Sequence, residues 1–429
     1  MSKLDELIAE LCPNGVEYKS LGEIATIARG GNFQKKDFCD RGVPCIHYGQ
    51  IYTKYGLFTD KTITFITEER AKKQKFAKTN DIIMAVTSEN IEVVCKCLAW
   101  LGNEDVAVSG HSAIISHNQN PKYLVYYFHS QIFFTQKRKL AHGTKVIEVT
   151  PDTLKSIKLP VPPLEVQREI VHILDSFTLL TAELTAELTA RKKQYEFYRD
   201  NLIKKEQHIS EVKKLADVAN IYDSLHQTPS YSNSGYSMVR VQDIKGGYLD
   251  EDKTLKVDES VWNLFTQKYT PRLNDIVVSR VGSYGNFALI PNDKCCLGQN
   301  VALIHPNINP KYLYHVLMST MTKQWINNNV KGASQKSFSL ADIKRVPVPV
   351  PKENIQQRIA EVLDNFEAIC TDLNIGLPAE IEARQKQYEY YRDLLLTFAE
   401  TGSTLMTDRQ TDRQTDRQTD RQTDRAESN

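Results

Sequence analysis

The apolar positions of this chain keep two different rhythms. Between residues 159 and 211, Ile170, Leu174, Phe177, Thr181, Leu184, Leu188, Arg191, Tyr195, Tyr198 and Leu202 recur every three or four residues. From 348 to 400, Ile359, Leu363, Phe366, Cys370, Leu373, Leu377, Ile381, Arg384, Tyr388, Tyr391 and Leu395 do the same. Such spacing gathers one apolar seam along a helix and predicts two long helices packed as a coiled coil. About 40 helical residues make a rod of roughly 60 Å. Each segment begins with a proline run, Leu159-Pro-Val-Pro-Pro163 and Val348-Pro-Val-Pro351, a stiff lead into a helix N-terminus. Gly376 and Pro378 predict a kink or break in the second helix.

Elsewhere the rhythm shortens. Asp81 to Val86, Val106 to Ile115, Asp275 to Val281 and Ala288 to Ile290 are β-branched and aromatic runs set among turn residues, and they predict strands. The expected fold class is α+β. Mixed α/β domains occupy residues 1–158 and 212–347, helical spacers 159–211 and 348–400, and a tail 401–429.

The order globular, helical, globular, helical is a repeat at an offset of about 190 residues. Gln194-Tyr-Glu-Phe-Tyr-Arg-Asp200 returns as Gln387-Tyr-Glu-Tyr-Tyr-Arg-Asp393, and Leu174-Asp-Ser-Phe177 as Leu363-Asp-Asn-Phe366. Weaker echoes link Lys19-Ser-Leu-Gly-Glu-Ile-Ala25 with Lys213-Lys-Leu-Ala-Asp-Val-Ala219, Asn80-Asp-Ile-Ile83 with Asn274-Asp-Ile-Val277, and Asn120-Pro-Lys-Tyr-Leu124 with Asn309-Pro-Lys-Tyr-Leu313. Matching halves imply a pseudo-twofold molecule whose helical segments pack antiparallel.

Net charge is only +1, but its distribution is uneven. Glu17 to Lys158 carries 20 basic against 14 acidic residues, and Val212 to Pro347 carries 16 against 11. Two basic globular units separated by acidic helices suit contact with a polyanion at two places. The eight cysteines form no C-x-x-C pair and the histidines lack metal-ligand spacing, so reduced packing cysteines and no metal site are expected. Cys95 and Cys97, two apart, are expected on one face of a strand. No signal-peptide pattern or apolar span is present, and a cytoplasmic protein is expected. The sequence shows no Asn/Asp-Pro-Pro-aromatic methyltransferase motif, no G-x-x-x-x-G-K-[ST] phosphate loop and no nuclease carboxylate cluster.

The duplicated frame, with Leu11-Cys-Pro-Asn-Gly-Val-Glu-Tyr-Lys-Ser-Leu-Gly-Glu-Ile24, Ile46-His-Tyr-Gly-Gln-Ile51, Ser279-Arg-Val-Gly-Ser-Tyr-Gly-Asn286 and Leu297-Gly-Gln-Asn300, resembles the specificity subunit of type I restriction-modification systems. The resemblance spans nearly all of residues 1 to 400. It implies two target recognition domains, each binding one half of a bipartite DNA sequence, with the paired helices as a ruler. It further implies two modification subunits that bind S-adenosylmethionine and methylate adenine. Restriction subunits that use ATP and Mg2+ to cut DNA complete the complex. This chain would then be non-catalytic, with no cofactor of its own.

Base readout needs donors and acceptors in polar turns. Candidates in the first domain are Arg29, Asn32, Lys35, Lys36, His47, Tyr48, Gln50, Ser88, His111 and Lys145. In the second they are Arg240, Gln242, Lys245, Arg280, Ser283, Tyr284, Gln299, Asn300, Lys331 and Gln335. Arg191, Tyr195, Tyr198, Arg384, Tyr388 and Tyr391 sit at coiled-coil spacing and are expected to be scaffold and docking surface for the modification subunits. A tandem unit, Thr181-Ala182-Glu183-Leu184 then Thr185-Ala186-Glu187-Leu188, lies in mid-spacer. Gain or loss of one unit advances a helix by about 6 Å and turns it by about 40°, and is expected to change the length of the unread DNA spacer.

The tail repeats Thr-Asp-Arg-Gln from Thr407 to Arg425, and its polar, charge-balanced composition predicts disorder. The repeat can be encoded as an uninterrupted tetranucleotide run, ACA-GAC-AGA-CAG, which would let the gene slip frame and switch its C-terminus. Two other classes of function stay open: a methyltransferase or nuclease with its own recognition domains, and a coiled-coil adaptor without DNA binding.

Overall fold

The computed structural model describes residues 2–244, 247, 249, 251–330, 337–372 and 375–401. The chain forms two compact units, one of residues up to 182 together with those from 382, the other of residues 183–381.

In the first unit two five-stranded sheets carry the globular domain. One runs in the order Ala25–Arg29, Ser112–His117, Ile82–Ala85, Cys97–Trp100, Phe58–Thr59. The other runs Phe38–Cys39, Thr64–Ile66, Val43–Ile46, Val106–Val108, Lys75–Ala77, with Val43–Ile46 and Val106–Val108 parallel. Ile82, Ile83, Met84 and Ala85 are all buried, as a central strand covered on both faces requires. The run expected as one strand from Val106 to Ile115 is two strands in different sheets. Ser109-Gly110-His111 crosses between them, and a Cβ at Gly110 would lie 2.5 Å from the Gly31 carbonyl oxygen. Glycine lets the two loops touch.

Cys95 also differs from expectation. It precedes the strand that begins at Cys97 and closes a turn at φ 66°, its N–H donating to the Ala85 carbonyl. Both thiols are buried and free.

The second unit repeats the plan, with fewer strands among the described residues. One sheet runs Ala219–Asp223, Val301–Pro306, Ile276–Ser279, Phe287–Leu289, and a second runs Leu255–Val257, Tyr236–Val239, Cys295–Leu297. The sequence echoes are local structures used twice. Asn80 and Asn274 both take left-handed φ (73° and 67°), and the next residue, Asp81 or Asp275, accepts the N–H of Lys78 or Arg272. Asparagine tolerates that conformation better than other non-glycine residues. Asn120 and Asn309 cap helices with proline at the first turn, and each donates its own N–H to a spacer glutamine, Gln167 or Gln356. The hydroxyls of Tyr123 and Tyr312 donate to the carbonyls of Pro160 and Pro349 in the proline runs. Those runs are strands, paired with Tyr18–Ser20 and Glu211–Lys214.

The first spacer is one helix, Leu164–Ile209. The second is interrupted as Gly376 and Pro378 predict, into Glu353–Thr371 and Leu377–Thr401. Leu373 and the Thr-Asp-Arg-Gln tail lie outside the described residues. In the second unit Phe366 packs on Tyr198 while Cys370 feels Arg191 and Lys192, so numbers rise on one helix as they fall on the other and the segments run antiparallel. The buried stripe of the first spacer's C-terminal half is shifted from the expected seam. Tyr195, Arg199, Ile203 and Glu206 are buried at intervals of three and four, whereas Arg191 and Tyr198 are exposed. The helix answers to the globular domain, where Tyr195 meets His315, as well as to its partner helix, where Tyr198 meets Phe366.

Candidate nucleic-acid interface

In the first domain, Gly30-Gly31 and Ser109-Gly110 pack backbone to backbone. A Cβ on Gly30 would sit 2.2 Å from the Ser109 carbonyl oxygen. This junction opens a cleft of about 710 Å³. Arg29, Asn32, His47, Tyr48 and His111 line it, five residues drawn from three separate places in the sequence. Lys73, Lys75 and Gln34 line it too, and the sequence reading missed them. The signal was present: Arg70, Lys72, Lys73, Lys75 and Lys78 crowd nine positions.

The rings form a continuous wall. Tyr48 lies 4.6 Å from His47 and 5.0 Å from His111, centroid to centroid, and His47 meets Phe38 edge-on at 5.9 Å. His47 caps the short helix Tyr48–Thr53, its Nδ1 accepting from the Gly49 N–H at 3.2 Å. Burial, then the neighbouring Lys35 and His111, push its pKa down to about 4, so the ring is neutral near pH 7. Arg29 donates to the Gly110 carbonyl and pairs with Glu148. Asn32 is tied to Gln74 through its N–H and its side-chain oxygen. Lys35 and Lys36 are exposed on the turn before Phe38.

Three candidates lie elsewhere or are committed to the fold. Gln50 is buried, its Oε1 accepting from the His47 N–H at 3.0 Å and its Nε2 donating to Thr64. Ser88 accepts from the Asn90 N–H within a turn. Lys145 is exposed in the loop before Ile147–Glu148 and does not line the cleft.

The second domain builds the same junction from other residues. Val239 pairs with Leu297 as Ile46 does with Val108. Arg240 therefore stands where His47 stands, and Asn300 where His111 stands, each accepting at its carbonyl the N–H that follows the central strand, from Arg280 or from Val86. Arg240 is fixed by two bonds to Asp243 at 2.9 Å, and with its amide oxygen turned inward Gln242 accepts from the same guanidinium. Arg280 is ion-paired with Asp223, which occupies the place of Arg29. Ser283 is exposed, Tyr284 packs on the core, and Gln299 is exposed with its amide 3.4 Å from the Thr228 hydroxyl. Lys245, Lys331 and Gln335 lie outside the described residues.

Of the scaffold candidates, Tyr388 and Tyr195 fasten a globular domain to its helices, and the others make contacts along or between the helices. In the first unit Tyr388 packs edge-on against Tyr126, Tyr391 stacks on Phe177 at 5.3 Å, and Arg384 bonds Gln387. In the second, Tyr195 reaches His315 Nδ1 at 3.1 Å, Tyr198 meets Phe366, and Arg191 bonds Glu187 and Gln194. His315, Asp364 and Glu367 are close enough to share a cation. Both nitrogens of His315 are already used, by Tyr195 and Asp364, and Tyr314 donates to Glu367, so the trio is a hydrogen-bonded joint. Burial raises the Glu367 carboxyl above its ordinary range. No helix among the described residues is long and apolar enough to cross a membrane.

The sequence pattern of the "Type I restriction modification DNA specificity domain" matches residues 13–191 and again 209–383. The specificity subunit of the Escherichia coli type I restriction enzymes EcoR124I and EcoR124II is 36% identical over 258 residues. That alignment takes in 57% of this chain and 63% of the relative, less than two thirds of its length. A protein of Haemophilus influenzae named as a type I restriction enzyme specificity subunit is 29% identical over 70% of this chain and 77% of its own. A solved chain from a study of complex assembly and conformational transition in the type I system shares the fold, with a TM-score of 0.55 at 16% identity, over 90% of this chain and 98% of that one.

Proposed function

Since this chain belongs to the family of type I restriction-modification DNA specificity proteins, we propose that it is the non-catalytic subunit that reads a split DNA target, one half-site per recognition domain. It directs adenine methylation and restriction carried out by other subunits. The observation that carries the reading is the loop junction built twice on one frame with different side chains: Tyr48 and His111 in one domain, Val241 and Asn300 at the matching places in the other. A common frame with unlike side chains suits two unlike half-sites, because groove readout depends on which donors and acceptors are offered.

Within this reading the partners are two modification subunits holding S-adenosylmethionine, and restriction subunits using ATP and Mg2+, in a bacterial cytoplasm where the complex defends against phage. The spacer helices pair as a coiled-coil ruler, the tandem Thr-Ala-Glu-Leu unit sets its length, and the Thr-Asp-Arg-Gln tract supports phase variation of the C-terminus. Mapping adenine methylation in cells with and without the gene tests the reading. Loss of one split methylated motif on deletion is expected, and an unaltered methylation map would refute it.

A further inference from the structure

In both domains the arginines around the junction are ion-paired, Arg29 with Glu148 and Arg70 with Asp37 in the first. In the second, the guanidinium groups of Arg240 and Arg280 are neutralised by Asp243 and Asp223. In the first, Lys73 and Lys75 are exposed and neither pairs with an acidic group among the described residues. Lys75 opens the strand Lys75–Ala77 opposite Val108, the residue before the Ser109-Gly110-His111 turn. Lys73 is two residues earlier, and both line the cleft that holds Tyr48 and His111. An unpaired ammonium beside a groove can meet a phosphate without surrendering a carboxylate, and it releases counterions when it does. A guanidinium already locked on aspartate must give that partner up.

We infer that Lys73 and Lys75 are positioning residues that hold the DNA backbone at the first half-site, so that base edges are presented to Tyr48 and His111. The inference rests on the DNA-reading function above. It adds that this pair supplies salt-dependent affinity at the first half-site and carries no sequence information itself.

The test is a salt series on the full chain assembled with its modification subunits, using a duplex bearing the methylated motif and a scrambled duplex. Replacing both residues, Lys73→Ala with Lys75→Ala, is expected to make the slope of log affinity against log salt shallower by about 2. Affinity should fall by the same factor for both duplexes, and the methylated motif should not change. The charge-preserving pair Lys73→Arg with Lys75→Arg is expected to restore the slope. An unchanged slope in the alanine pair, or a loss confined to the motif duplex, overturns the inference while leaving the DNA-reading function intact. Failure of the unaltered complex to prefer its motif overturns that function and the inference with it.

Discussion

Cys95 holds φ at 66°, and the matching place in the second unit is Gly285, at 73°, each donating its N–H to the equivalent strand carbonyl. A left-handed conformation costs a side-chain-bearing residue roughly 1–2 kcal/mol. Cys95→Gly should therefore lie within about 1 kcal/mol of the parent, strain relief offsetting the lost thiol packing. Cys95→Val should cost about 2 kcal/mol or more, because a β-branched residue fits there worst. Denaturation midpoints of the two variants check this. His47 and His129 carry a second residue-scale consequence, since burial above all holds both near pKa 4 against an ordinary 6.5. Between pH 6.5 and 4 the unfolded chain binds protons that the folded chain refuses, so stability falls as pH falls through that window. His47→Asn, which keeps an acceptor at the helix cap, should flatten the acid limb by up to about 3 kcal/mol. An unaltered pH profile would count against the buried neutral ring.

Among the elements, the uninterrupted helix Leu164–Ile209 bears most directly on function. Its tandem unit is lightly held: Leu184 and Leu188 are half-buried, while Ala182, Glu183, Ala186 and Glu187 face solvent. Four extra residues keep a helix a helix and leave the packed ends, Ile170 and Leu174 on one side and Tyr195 and Ile203 on the other, unchanged in identity. A variant with one or three Thr-Ala-Glu-Leu units is thus expected to fold and to alter only the unread spacer of the methylated motif. Methylome sequencing of such variants reads this out, and an unchanged spacer would remove the ruler role from this unit. The helix joints also differ between units. Asp175 takes Lys122 and a tyrosine hydroxyl, that of Tyr126, whereas Asp364 takes Lys311 and a histidine, His315.

For the whole molecule, the proposed reading of one half-site per domain predicts that half-site identity can be altered one side at a time. Replacing His111 by the asparagine found at the matching place in the second domain should change or weaken readout of the first half-site and leave the second as it was. A changed second half-site in the methylation map would contradict that independence. The repeat made much of this legible beforehand. Asn80 and Asn274, Asn120 and Asn309, and Tyr195 and Tyr388 could be matched from sequence because turn, cap and seam are local features with fixed residue requirements.

What the sequence determined by itself was therefore the duplicated plan, the long helices and the break at Gly376, all consequences of short-range periodicity and capping chemistry, while the family came from the resemblance of its motifs. Tertiary structure alone decided which polar residues meet. Arg29, His47, Lys75 and His111 converge because parallel pairing of Val43–Ile46 with Val106–Val108 joins segments some sixty residues apart. It also withdrew Gln50 into a cap and Arg240 and Arg280 into ion pairs. No spacing rule reports such commitments, because a hydrogen-bonding group carries the same letter whether it is spent on the fold or left facing a groove.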